Sequence, residues 1–130
     1  MILSFKPQFK DKILQGSKIH TIRADPHNRW HEGRKIHFAT GVRTKNYNCF
    51  KMGVCRGVQS LFIRYSKSIN FVEIWIDDLL KTSTNIAHAY AYDYLKTLAR
   101  NDGFESVDDF FKWFNADFQG KIIHWTDFKY

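Results

Sequence analysis

A chain of 130 residues is long enough to bury one core without disulfide or metal staples. With 44% hydrophobic and 17% aromatic residues it is no disordered tail, and its longest apolar runs fall far short of a membrane span. The formal charge of +7 is unevenly placed: residues 1–70 carry 14 Lys/Arg against Asp11, Asp25 and Glu32 (net +11), whereas residues 71–130 carry 6 against 10 (net −4). A basic face attracts polyanions without sequence-specific contacts, although a merely solubilising surface has the same composition.

In chain order, ILSF at 2–5 reads as a short strand that ends near Pro7. Phe9, Ile13 and Leu14 recur at helical spacing, and Gly16 supplies a stop. KIHTIR at 18–23 predicts a second strand, Asp25 to Asn28 a loop, and Lys35 to Ala39 a third strand after Gly33. The polar, basic stretch 40–50 reads as a loop or hairpin, and residues 54–65 and 69–76 as two strands rich in β-branched and aromatic side chains. The period then changes. Ile86, Tyr90, Tyr94, Leu95 and Leu98 predict a helix from about 85 to 101, with Tyr90, Tyr94 and Leu98 as core packing, and Gly103 ends it. Ser106 with Asp109 has the form of a capping box opening a short helix through Phe114. Residues 121–128 predict a closing strand. Strands, two helices and a last strand give an α+β fold, and few long crossovers argue against a parallel sheet. There is no repeat and no Pro/Gly/Ser linker, so residues 1–130 are expected to form one domain, a monomer or weak dimer.

The opening MILSFKPQF has no long apolar segment and no small-residue cleavage site, which predicts a cytoplasmic protein. Cys49 and Cys55 make neither a disulfide framework nor a four-ligand zinc site, and reduced structural thiols suit that compartment. His27 and His31 lie four apart, but Pro26 and Asn28 place them in a loop, and neither Cys nor carboxylate completes a ligand set. No Walker-type glycine loop is present. No metal, cofactor or membrane is expected.

Three segments together resemble the ASCH domain. The first is Phe5-Lys6-Pro7-Gln8-Phe9 followed by residues 13–23, which carry Gly16, Lys18, Thr21 and Arg23 in a pattern similar to Gly-x-Lys-x-x-(Glu or Thr)-x-Arg. The second is Trp30-x-x-Gly33-x-Lys35-Ile36, and the third is residues 99–110, with Asp102-Gly103-Phe104 ahead of an aromatic-rich helix. The resemblance covers nearly the whole chain. It implies a PUA-like β-barrel with two or three peripheral helices that recognises RNA or a modified nucleoside.

One branch of that family deacetylates N4-acetylcytidine with a Lys, a Thr and a distant Glu. By position these fall on Lys18, Thr21 and Asp102, the acid being one methylene shorter here; Glu73 is the reserve acid. The chemistry needs a base to deprotonate threonine, and a lysine serves where burial or a neighbouring cation lowers its pKa. Arg23 could be that cation or could hold an oxyanion. In a regular strand Lys18 and Thr21 face opposite ways, so they converge only if Lys18 sits in the turn that Gly16 begins. The alternative is a non-catalytic RNA-binding module, or a ribonuclease, using the same basic pocket. Its ligand contacts would be Arg23, His20, Arg29, Arg43 and Lys45, with Tyr47 as the stacking candidate. Lys35, Arg56, Trp30 and Phe50 belong to the same basic and aromatic stretch.

Overall fold

The computed structural model describes all 130 residues. Eight strands run β1 (Ile2–Phe5), β2 (His20–Arg23), β3 (Lys35–Thr40), β4 (Asn48–Val54), β5 (Gly57–Ser66), β6 (Phe71–Ile76), β7 (Leu79–Asn85) and β8 (Phe118–His124). Between them lie α1 (Lys10–Gln15), α2 (Asp93–Asn101) and α3 (Val107–Trp113), with 3₁₀ segments at Pro7–Phe9 and Ile86–Ala91. The fold is therefore mixed α+β and mostly sheet. One sheet has the order β1-β3-β4 and the other β2-β8-β5-β6-β7. No helix is long and apolar enough to cross a membrane.

The alternation that predicted the central strands is their burial pattern. Leu61 and Ile63 of β5 and Val72, Ile74 and Ile76 of β6 point inward at every second position. They join Phe5, Phe38, Leu98, Phe110 and Ile122 in one contiguous core. Helix α3 starts where Ser106 Oγ accepts from the Asp109 N–H at 3.1 Å, the expected N-cap.

The structure corrects several sequence expectations. β2 begins at His20, because Lys18 and Ile19 lie in the turn before it. The 40–50 stretch turns into a strand at Asn48, and β7, too polar to be read as one, pairs with β6. The anticipated 85–101 helix breaks at Tyr92 into a 3₁₀ segment and α2, which leaves Tyr90 59% exposed and outside the core. The closing strand lies at Phe118–His124, earlier than expected. β1 pairs with β3 in parallel, the crossover running through α1 and β2, so the larger sheet alone is wholly antiparallel.

Candidate functional site

Two helix ends build the site. At the end of α1, Gly16 takes φ 84°, and the Gly16 and Ser17 N–H groups return to Ile13 O and Lys12 O. At the end of α2, Gly103 takes φ 93°, and the Gly103 and Phe104 N–H groups return to Arg100 O and Ala99 O. Both are glycine-terminated Schellman turns. The first delivers Lys18 and the second Asp102, and the Ile19 N–H bonded to Asn101 O at 2.9 Å ties them together. Gly103 is also required by close approach, since a Cβ there would lie 2.7 Å from Lys18 Cδ and 2.9 Å from Phe9 Cδ1.

Lys18 is 2% exposed. Its Nζ donates to the Asp102 carbonyl at 2.5 Å and to Asp102 Oδ1 at 3.3 Å, and lies 4.9 Å from the centroid of Phe9. Burial pulls its pKa down from 10.5 to about 8, with Asp102 opposing that shift and Arg23 adding to it. A substantial neutral fraction therefore exists near pH 8, which an ordinary lysine lacks.

From β2, Thr21 and Arg23 point the same way, two residues apart. Arg23 Nε donates to Thr21 Oγ1 at 3.2 Å, its Nη2 donates to Ser4 O, and its guanidinium stacks 5.0 Å over Phe5. Lys18, Thr21, Arg23 and Asp102 all line one cavity of about 1010 Å³, walled by Phe5, Phe9, Phe104 and Trp113. Lys6, Arg43 and Tyr47 stand at its exposed edge, and none of these cations has a carboxylate partner. Asp102 is the one acidic residue of the lining.

Other expected contacts fall elsewhere. His20 is fully buried behind Asp102 and does not line the cavity. Arg29 belongs to the 25–30 loop, where the Arg29 and Trp30 N–H groups cap the Asp25 carboxylate, and does not reach it either. Lys45 is exposed in the loop that carries Arg43 and Tyr47, but is not part of the wall. Glu73 sits on β6 opposite Arg64 and Ser83, away from the cavity, so Asp102 is the acid that geometry brings to Lys18. Trp30 is core, and Arg56 pairs with Asp127 at 2.7 Å. Cys49 and Cys55 are unbridged. No cluster of His, Cys, Asp or Glu is arranged to hold a metal ion.

Sequence reasoning missed Tyr130, whose hydroxyl is 2.6 Å from His20 Nε2, and His124, stacked edge-on to His20 at 5.3 Å. Nothing local marks either. Burial lowers the pKa of both histidines, that of His124 to about 3. A base whose folded pKa is depressed contributes stability above its unfolded pKa, near 6.5, and loses it as pH falls towards the folded value. Charging this pair is thus expected to cost on the order of 3 kcal/mol by pH 4, burial being the main cause and repulsion between the two rings the next. Urea midpoints between pH 7 and pH 4 measure it, and a flat profile across that range would contradict two neutral buried imidazoles.

Comparison with known proteins matched no family model, no curated protein and no solved structure.

Proposed function

We propose that this chain is an ASCH-type, PUA-like domain whose cavity receives a nucleobase, and that it hydrolyses N4-acetylcytidine to cytidine and acetate. The observation that carries the reading is the convergence of a desolvated lysine, a threonine hydroxyl, an arginine and a carboxylate on one aromatic-walled cavity. Aromatic walls suit the flat face of a base.

In the proposed reaction neutral Lys18 removes the Thr21 hydroxyl proton. Arg23, already donating to Oγ1, lowers the cost of the developing alkoxide. Oγ1 attacks the acetyl carbonyl carbon, and the oxyanion that forms is stabilised by the Arg23 guanidinium. The C–N bond breaks as Lys18 returns the proton to the leaving exocyclic nitrogen. Water then hydrolyses the acetyl-threonine ester, releasing acetate and restoring the hydroxyl. Asp102 orients Lys18 throughout through its carbonyl and Oδ1.

The unpaired rim cations Lys6 and Arg43, with Tyr47 46% exposed, favour a second reading: binding, or cleavage, of an RNA strand threaded past the cavity. One experiment separates them. The protein is incubated with N4-acetylcytidine and the mixture chromatographed for cytidine, while a labelled RNA oligonucleotide is titrated and followed in the same buffer. Turnover of the nucleoside is expected. Its absence, together with RNA affinity that falls steeply with salt, would replace the hydrolase by an RNA-binding module; oligonucleotide fragments would indicate a ribonuclease.

A further inference from the structure

We propose that His20 is a positioning residue: held by Tyr130 as the neutral imidazole with its proton on Nδ1, it fixes the Asp102 carboxylate against Lys18 at the floor of the cavity. Only the catalytic consequence rests on the hydrolase reading; the tautomer and the placement do not.

For a neutral ring the hydrogen bonds around His20 can be satisfied in one direction only. Asn101 Nδ2 has no acceptor role, so it donates to Tyr130 Oη at 3.2 Å. The Tyr130 hydroxyl is then free to donate, and its partner at 2.6 Å is His20 Nε2. With Nε2 accepting, a neutral ring carries its proton on Nδ1, which lies 3.2 Å from Asp102 Oδ1. The carboxylate can only accept, so the chain closes without conflict. The same oxygen receives Lys18 Nζ at 3.3 Å. One side of Asp102 Oδ1 is thus held from behind while the other faces the amine.

Burial keeps this ring neutral against the pull of Asp102, with Lys18 adding to the effect of burial. Lys18 is a neighbouring cation, and His124 from β8 stacks against it with its own Nε2 on Gln59 Oε1 at 3.0 Å. Asp102 is the sole anion in contact with it. Around Tyr130 stand Asn101 and, at 5.9 Å between ring centroids, Tyr94, and burial pushes the Tyr130 phenol upward so that it keeps its proton. Gln59 grips residue 130 from both sides, accepting from its N–H at 2.9 Å and donating to its carbonyl at 3.0 Å. The hydroxyl is therefore set in place by backbone bonds and not by side-chain chance.

The first test uses the wild-type chain, and so does not depend on any variant folding. Nitrogen-resolved NMR of the histidine rings is expected to show His20 protonated at Nδ1, bare at Nε2, and still neutral at about pH 6.5, where an ordinary imidazole is half charged. A proton on Nε2, or an imidazolium, would overturn the proposal. The second test is kinetic. His20→Leu is expected to lower kcat about 10²-fold with KM little changed, since the acid is misplaced and not lost. His20→Asn, whose amide nitrogen occupies the place of Nδ1, is expected to recover most of that loss. Wild-type kcat in His20→Leu, or no recovery in His20→Asn, counts against a positioning role. Should the wild-type chain deacetylate nothing yet show the Nδ1 proton, the hydrolase reading alone fails. The crystal structure of His20→Leu then decides: a carboxylate turned away from Lys18 Nζ supports the proposal, and one left in place overturns it.

Discussion

Replacing Lys18 by methionine is expected to lower the proposed N4-acetylcytidine hydrolysis by about three orders of magnitude, the upper part of the range for losing a general base, and to leave the chain folded. Methionine has nearly the reach of lysine and suits the space against Phe5 and Phe9. The amine it removes is one whose burial costs free energy, and the relief is offset by leaving the buried Asp102 side chain with His20 as its remaining partner. With a folded pKa near 8 against 10.5 unfolded, that cost is on the order of 3 kcal/mol at neutral pH.

The sign of the pH dependence follows. Below pH 8 both states hold the proton, and the cost is fully present. Between pH 8 and 10.5 the unfolded chain binds more protons than the folded one, so wild-type stability gains on that of Lys18→Met. Cys55 and the tyrosines Tyr65, Tyr94 and Tyr130, all raised by burial, oppose this at the upper end, but they are common to both chains and cancel in the difference. Urea midpoints of the two proteins at pH 7, 9 and 10 read it out, and kcat/KM of the wild type is expected to climb about tenfold per pH unit up to about pH 8. Undiminished turnover in Lys18→Met would remove the amine from the chemistry. Parallel stability curves would contradict its desolvation.

Asp102→Leu is the second large effect, this time on stability. It strips Lys18 Nζ of its carboxylate and leaves the His20 Nδ1–H without an acceptor, both inside the protein. Breaking a buried pair from one side costs about 3–5 kcal/mol, because the remaining charge is uncompensated. Two further results are expected. The loss shrinks as pH rises towards about 8 and is smallest above it, because Lys18, no longer held up by Asp102, releases its proton below the wild-type value. And in the double variant Lys18→Met, Asp102→Leu, much of it is recovered, so the two substitutions are strongly non-additive. Chemical denaturation of the four proteins of that cycle measures the coupling. A loss below about 1 kcal/mol in Asp102→Leu would mean that the pair behaves as a solvated surface contact.

Some of this site was visible in one dimension. Gly16, Lys18, Thr21 and Arg23 stand at a spacing that a turn followed by a strand makes chemically coherent, and the condition placed on it, that Lys18 precede the strand, is the one the fold meets. Asp102-Gly103 read as a helix end, which it is. The Ser106 cap and the inward alternation of β5 and β6 were likewise legible, because each depends on neighbours within a few residues and on which side of an element meets water. The spacing did not carry over to Arg29 or Lys45, since basic composition says nothing about which cavity a side chain borders.

The sequence by itself determined the period of the central strands, the two glycine stops and the placing of Lys18 and Thr21 on either side of a turn-to-strand junction. Tertiary structure alone decided the rest: the parallel seating of β1 on β3, the recruitment of polar residues 79–85 as a strand, and the meeting of Lys18, Asp102, His20 and Tyr130. Local pattern records the preference of a segment for water or core. Desolvation is different in kind, since it is imposed by atoms from distant parts of the chain. An ordinary lysine becomes a poised amine only once those atoms have closed around it.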